Sequence, residues 1–463
     1  MLGWFTSSQW ITLALIMVSI TGFSMMHNVP PVIYPSIATS KGVSLTLLGV
    51  IFGCIQAACL VSAPFYGYIL QTVNSKLLYI FGGLIFSIAF IGFGYVPELS
   101  SDELFLGLSI FLTIVQGIGL SAAYISLISI LTREFPDKRS FVIALKQGIY
   151  GFGFMLGPLI AGILHGFFGP VVPYLAAGTF TILSLVFSLL FMPNYNKRSG
   201  ATQNFPLTVF LKLPSSWLSI IGVVVAVSAL MFINPSLEPR LHDLQLTSIK
   251  MGLVFSVPYM SFIIFNFVWS WTLEFVDPKY LMLVGTFQIF IAYSFIGPVP
   301  GVHIDSVILW TTVLGLAIAG MGASALFLAC YVEIVRGAII SGFDDNDDLH
   351  AWASTAWQGS FSLGGCLGPL MAGVLYDAGG FRVSSLWMVI LSFGYSILIL
   401  CIVGMELEES PTSDIPLNEK TPSYGAVLIY NNASENQPPS PPQLPMIAES
   451  QAEVQTPNNE NNQ

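Results

Sequence analysis

Apolar residues gather in twelve stretches along the chain, each long enough to cross a bilayer and each closed by a polar break. They fall roughly at 8–38, 44–71, 77–97, 103–132, 138–168, 171–192, 216–240, 248–274, 279–297, 305–336, 349–378 and 383–405. A spanning helix needs about 20 predominantly apolar residues. Hydrocarbon offers backbone groups no partner, so each stretch is predicted to be a helix rather than an open strand. The longest polar connection, "MPNYNKRSGATQNFPLTVFLKLPSS", follows the sixth stretch and splits the chain into six helices plus six. The expected fold class is an all-α membrane protein, with twelve transmembrane helices in two pseudo-symmetric six-helix bundles. The expected divisions are a bundle at 1–192, a cytosolic linker at 193–215, a second bundle at 216–405 and a disordered cytosolic tail at 406–463. The tail carries "PPSPPQLP" and "NNENNQ", too polar and proline-rich to bury a core.

One helix is written twice. "LKQGIYGFGFMLGPLIAGIL" at 145–164 returns as "AWQGSFSLGGCLGPLMAGVL" at 356–375. At a shift of 211 positions Gln147-Gly148, Gly153, Gly157-Pro158-Leu159, Ala161-Gly162 and Leu164 meet identical residues. A second correspondence aligns "GYILQTVNSKLL" with "SWTLEFVDPKYL", matching Lys76 to Lys279. Parallel halves of this kind are a transporter architecture, with the solute site between the halves. Lipid gives helices no hydrophobic reason to associate, so small residues must let backbones approach. Gly153, Gly157, Gly364 and Gly368 supply such surfaces, and Pro158 and Pro369 each remove a backbone hydrogen bond and permit a bend. Taken singly these residues read as helix packing; duplicated, they suit halves that rock against each other.

Composition sharpens this picture. The chain is 54% hydrophobic and 9% charged, against about 25% charged in soluble proteins. The net charge of -10 gathers in "DDNDD" at 344–348 and in the tail, so it implies no nucleic-acid partner. The five cysteines lie in apolar stretches without metal-site spacing, and no metal or cofactor is expected. With the N-terminus inside, ten Lys and Arg fall on inside segments and four outside, which predicts both termini in the cytosol. No nucleophile elbow or phosphate loop appears in a fitting context, so no enzyme is expected.

"GFGFMLGPLIAG" resembles the antiporter signature of the major facilitator superfamily. "GYILQTVNSK" resembles the same superfamily's loop motif, with Gln71 where an acid is usual and Glu274 keeping an acid in the second half. The resemblance implies that Lys76, Glu274 and Lys279 belong to gating loops. A closer resemblance is to the vesicular amine and polyamine transporter family, in its polyamine-type branch. It is carried by "SAPFYGYIL", "SILTREFP", "FMPNY", "FINPSL", "GPVPGVHI" and "GPLMAGVLYDAGGF". This implies secondary active transport of a small organic solute, amine- or polyamine-like, by alternating access in antiport with protons. Vesicular, endosomal or plasma membranes are the implied sites, a monomer the expected state. A receptor or scaffold built on a transporter fold is the alternative.

Polar groups inside the membrane are expensive and mark function. Glu333 matches a position where the family keeps an acid, which the resemblance links to proton coupling; the plainer reading pairs it with Arg336 one turn on. Lys146 lies about 10 Å past Arg139 along its helix at 1.5 Å per residue. It can attract an anionic solute, pair with Glu333, or snorkel to the headgroups. His27 is either a proton-handling group or a structural histidine. Gln147 and Gln358 form a symmetric pair where related carriers place carboxylates, and Asn234 also replaces an acid. Amides suit a neutral or zwitterionic solute. Tyr124 and Trp357 are expected either to wall the cavity or simply to pack.

Overall fold

Each apolar stretch is a helix in the computed structural model, which describes residues 5–135, 138–195, 213–297, 309–343 and 347–409. Among these residues there is no strand. The first half holds α1 (Ser7–Asn28), α2 (Pro30–Ser40), α3 (Leu45–Ile69), α4 (Ser75–Tyr95), α5 (Asp102–Glu134), α6 (Arg139–Phe168) and α7 (Val171–Phe191). The second holds α8 (Pro214–Leu241), α9 (Ser248–Thr272), α10 (Pro278–Ile296), α11 (Leu309–Ile340) and α12 (Asp347–Glu409).

Two elements depart from one helix per stretch. The first span is broken at Val29, because Pro30 and Pro31 lack the N–H groups that would continue α1. The last two spans run together as α12, separated by a kink at Gly379 and Gly380, where Gly380 takes φ 75°. A residue with a side chain rarely adopts that conformation. Among the described residues eleven helical runs are long and apolar enough to cross a membrane, and the 53-residue run Trp352–Gly404 contains two spans. Twelve crossings result. The connector expected at 193–215 and the tail expected at 406–463 lie mostly outside the described residues, as does the centre of "DDNDD".

Short polar residues start the helices. Thr6 and Gln9 form a capping box on α1, Ser44 caps α3, and Thr247 caps α9. Asn74 caps α4 by accepting from the Lys76 N–H, and Asp277 caps α10 by accepting from the Lys279 N–H. These two caps are 203 positions apart, in the aligned loops.

The duplicated glycines make duplicated contacts. A side-chain carbon on Gly157 would lie 2.7 Å from the Met25 carbonyl oxygen of α1. One on Gly368 would lie 2.8 Å from the Ser228 carbonyl oxygen of α8. Gly153 meets α1 at Thr21 and Ser24, and Gly364 meets α8 at Val224 and Val227. Gly82 and Gly119 cross between α4 and α5, and Gly285 and Gly322 cross between α10 and α11. Each half therefore repeats the other's internal packing.

The seams between the halves also match. Gly49 of α3 lies under the Pro369 carbonyl of α12, and Gly252 of α9 lies under the Pro158 carbonyl of α6. Further along, Gly373 abuts Leu45 and Thr46, while Gly162 abuts Ser248 and Gly252. Asp377 closes this end. Its Oδ1 accepts from the Leu45 N–H at 3.2 Å and its Oδ2 from the Thr46 N–H at 2.8 Å, at the N-terminus of α3. An anion at that position also meets the favourable end of the helix dipole. Towards the other end, where α1 and α6 begin, the equivalent Gly148 and Gly359 face open space.

Candidate functional site

A small cavity sits where the two copies of the repeated helix face each other. From α6 it is lined by Lys146, Gln147 and Tyr150, and from α5 by Tyr124. From α12 it is lined by Trp357, Gln358 and Phe361. Five of the six residues expected to bind solute are thereby brought together. The helical period explains the two that were missed: Tyr150 lies four residues after Lys146, and Phe361 lies four after Trp357, on the same faces.

The walls are rigid aromatics. Tyr150 meets Tyr124 at 5.8 Å between ring centroids and Phe361 at 6.0 Å, so the last contact joins the halves. Trp357 stacks on Phe361 and donates its indole N–H to the Phe327 carbonyl at 3.3 Å. Lys146 is only 6% exposed, with its Nζ 5.7 Å from the Tyr124 ring centre. It therefore lines the cavity rather than snorkelling, and its position makes a cation–π contact. No carboxylate pairs with it among the described residues.

Asn234 is not in this cavity. It is buried on α8, with its Nδ2 3.5 Å from Met231 Sδ and its Oδ1 without a hydrogen-bond partner among the described residues. His27 is buried beside the cavity wall, edge-on to Phe154 at 5.6 Å, with its Nε2 3.5 Å from Gln56 Nε2. It does not line the cavity itself.

Glu333 pairs neither with Arg336 nor with Lys146. It is 2% exposed on α11, and its Oε1 lies 3.5 Å from Lys279 Nζ. Arg336 instead forms an ion pair with Asp277. Spacing along one helix favoured the Arg336 partner, but the loop before α10 carries Asp277 and Lys279 into reach and exchanges the partners. Lys76, the counterpart of Lys279, donates from its Nζ to the Met192 carbonyl at 2.5 Å. Glu274 stands in the turn after α9, its N–H donating to the Trp271 carbonyl at 3.1 Å.

One polar chain between the halves was missed. Pro158 leaves the Phe154 carbonyl without its helical donor. Asn28 Nδ2 supplies a donor at 3.3 Å, and Tyr259 Oη, from the second half, donates to Asn28 Oδ1 at 3.2 Å. Proline in the sequence announces an orphaned carbonyl four residues earlier, yet it does not say which helix repairs it.

The sequence model of the Major Facilitator Superfamily matches residues 12–343. The chain belongs to that superfamily. It is 26% identical to the human MFS-type transporter SLC18B1, across 84% of this chain and 86% of that one. It is 22% identical to the human synaptic vesicular amine transporter, across 72% of this chain and 62% of that one. Its fold is similar to a bacterial homologue of the human lysosomal transporter Spinster in an inward-facing, unoccupied conformation. That match has a TM-score of 0.70 at 15% identity and covers 88% of this chain and 99% of that one. The nucleoside transporter NupG follows at TM-score 0.62, 12% identity and 88% of this chain against 100% of that one. This superfamily member is a multi-pass membrane transporter, not an enzyme, and a small-molecule solute and the bilayer are its partners.

Proposed function

We propose that the protein moves a small organic solute by alternating access, exchanging it for protons, and that the solute binds between the two copies of the repeated helix. The cavity at that junction carries the reading. Gln147 and Gln358 present amide donors and acceptors from opposite halves, so one solute can hold both halves together. The chain ends are assigned to the cytosol by the Lys and Arg excess on that side. The closed seams then face away from the cytosol.

Glu333 is the coupling group in this reading. Its protonation removes the attraction for Lys279 and frees the start of α10. His27 is a secondary proton-handling position, next to Gln56 at the interface of the halves. The repeated glycines and prolines at 153, 157, 158, 364, 368 and 369 form the rocking surfaces.

Reconstitution in liposomes tests this. An imposed pH gradient is expected to drive solute flux in the native protein. Glu333→Gln is expected to lower gradient-driven flux at least tenfold while solute exchange at equal pH persists. Gradient-driven flux undiminished in that variant removes the coupling assignment. A receptor or scaffold on this fold would exchange no labelled solute at all.

A further inference from the structure

The geometry points to an organic anion with a planar ring as the solute class of the central cavity. The inference rests on the cavity being the solute site, as proposed above, and adds what that site selects.

The cavity holds the Lys146 amine with no carboxylate beside it among the described residues. Lys146 is more than nine-tenths buried and lines the space. No Asp or Glu lines the cavity with it, and Lys146 forms no ion pair among the described residues. The two membrane-embedded and loop carboxylates nearest in role, Glu333 and Asp277, are committed to Lys279 and Arg336. A buried charge persists only where something offsets it. The Tyr124 ring face offsets part. The remainder is left for the bound solute.

The other lining groups define the rest of that solute. Tyr150, Trp357 and Phe361 offer apolar ring surfaces, with Tyr124 flanking the ammonium. Planar rings pack on such walls in offset or edge arrangements. Gln147 and Gln358 complete the polar set without adding charge. A polycation would instead bring its ammonium groups against Lys146 with no carboxylate to receive them.

A charge series on one skeleton tests this. Purified full-length protein is presented with radiolabelled 3-phenylpropionate, its uncharged amide, 3-phenylpropylamine and spermidine, and binding is read by equilibrium dialysis. The carboxylate is expected to bind at least tenfold more tightly than the amide or either amine. Lys146→Gln is expected to weaken carboxylate binding at least tenfold, and Lys146→Arg to retain most of it. The native-protein series decides the matter even where a variant does not fold. Spermidine or the arylamine binding as tightly as the carboxylate overturns the assignment, and so does the absence of carboxylate binding. Labelled 3-phenylpropionate is then tested for counterflow in liposomes. Binding without counterflow removes the transport reading and leaves the anion assignment standing.

Discussion

Asn28 serves two helices other than its own, donating to the Phe154 carbonyl of α6 and accepting from Tyr259 of α9. Its replacement by leucine leaves a buried carbonyl and a buried hydroxyl without these partners. A buried polar group without a partner costs about 1–3 kcal/mol. Asn28→Leu is therefore expected to lower stability by that order, read as a fall in thermal midpoint of the detergent-purified protein. An unchanged midpoint means that water or another side chain repairs both groups. The limits of sequence reading are visible at this scale. Lys146, Gln147, Gln358 and Trp357 were legible because repetition singled out their helix, and Tyr124 only as an aromatic that could wall a cavity or simply pack. The Glu333–Lys279 and Arg336–Asp277 partners were not, because spacing along one helix is silent about which loop arrives from another.

At the scale of elements, the repeated helix has two surfaces with different duties. One presents Gly153 and Gly157, or Gly364 and Gly368, to the first helix of its own half. The other presents Gly162 or Gly373 to the opposite half. Substitutions should separate these duties. Gly368→Leu has no room against the α8 backbone, so it is expected to destabilise the folded protein, by roughly 1–3 kcal/mol as overpacking does. Gly373→Leu pushes instead against Leu45 and is expected to hold the seam apart. Fold and yield should be preserved while solvent access to α3 near Thr46 rises at least threefold, measured as the labelling rate of a cysteine placed at position 46. Equal stability losses in both variants with no change in labelling argue against separate duties. Period and composition predicted twelve spans, and the kink at Gly379–Gly380 is why two of them appear as one run.

For the whole molecule, the two-half organisation was legible because it is written in the sequence as a repeat. The state of the molecule was not, since one sequence must fit both an inward-open and an outward-open arrangement. Asp377 is the visible bias between them. Its carboxylate clasps the N-terminus of α3 from the opposite half, at an exposed site where solvent weakens each bond. Asp377→Ala is expected to shift the population towards opening at that end by roughly fivefold, or about 1 kcal/mol. Spin labels across the α3–α12 seam would read the shift as a new long-distance population. The same seam carries a thermal consequence. At Gly49, Gly53 and Gly373 its contacts are glycine faces against the backbone carbonyls of Pro369, Cys366 and Leu45. Wetting apolar area raises heat capacity and wetting polar area lowers it, so parting these contacts should leave the heat capacity nearly unchanged. The balance between the two arrangements would then follow an almost straight van't Hoff line, and the carrier would change sides with much the same ease in a cold cell as in a warm one.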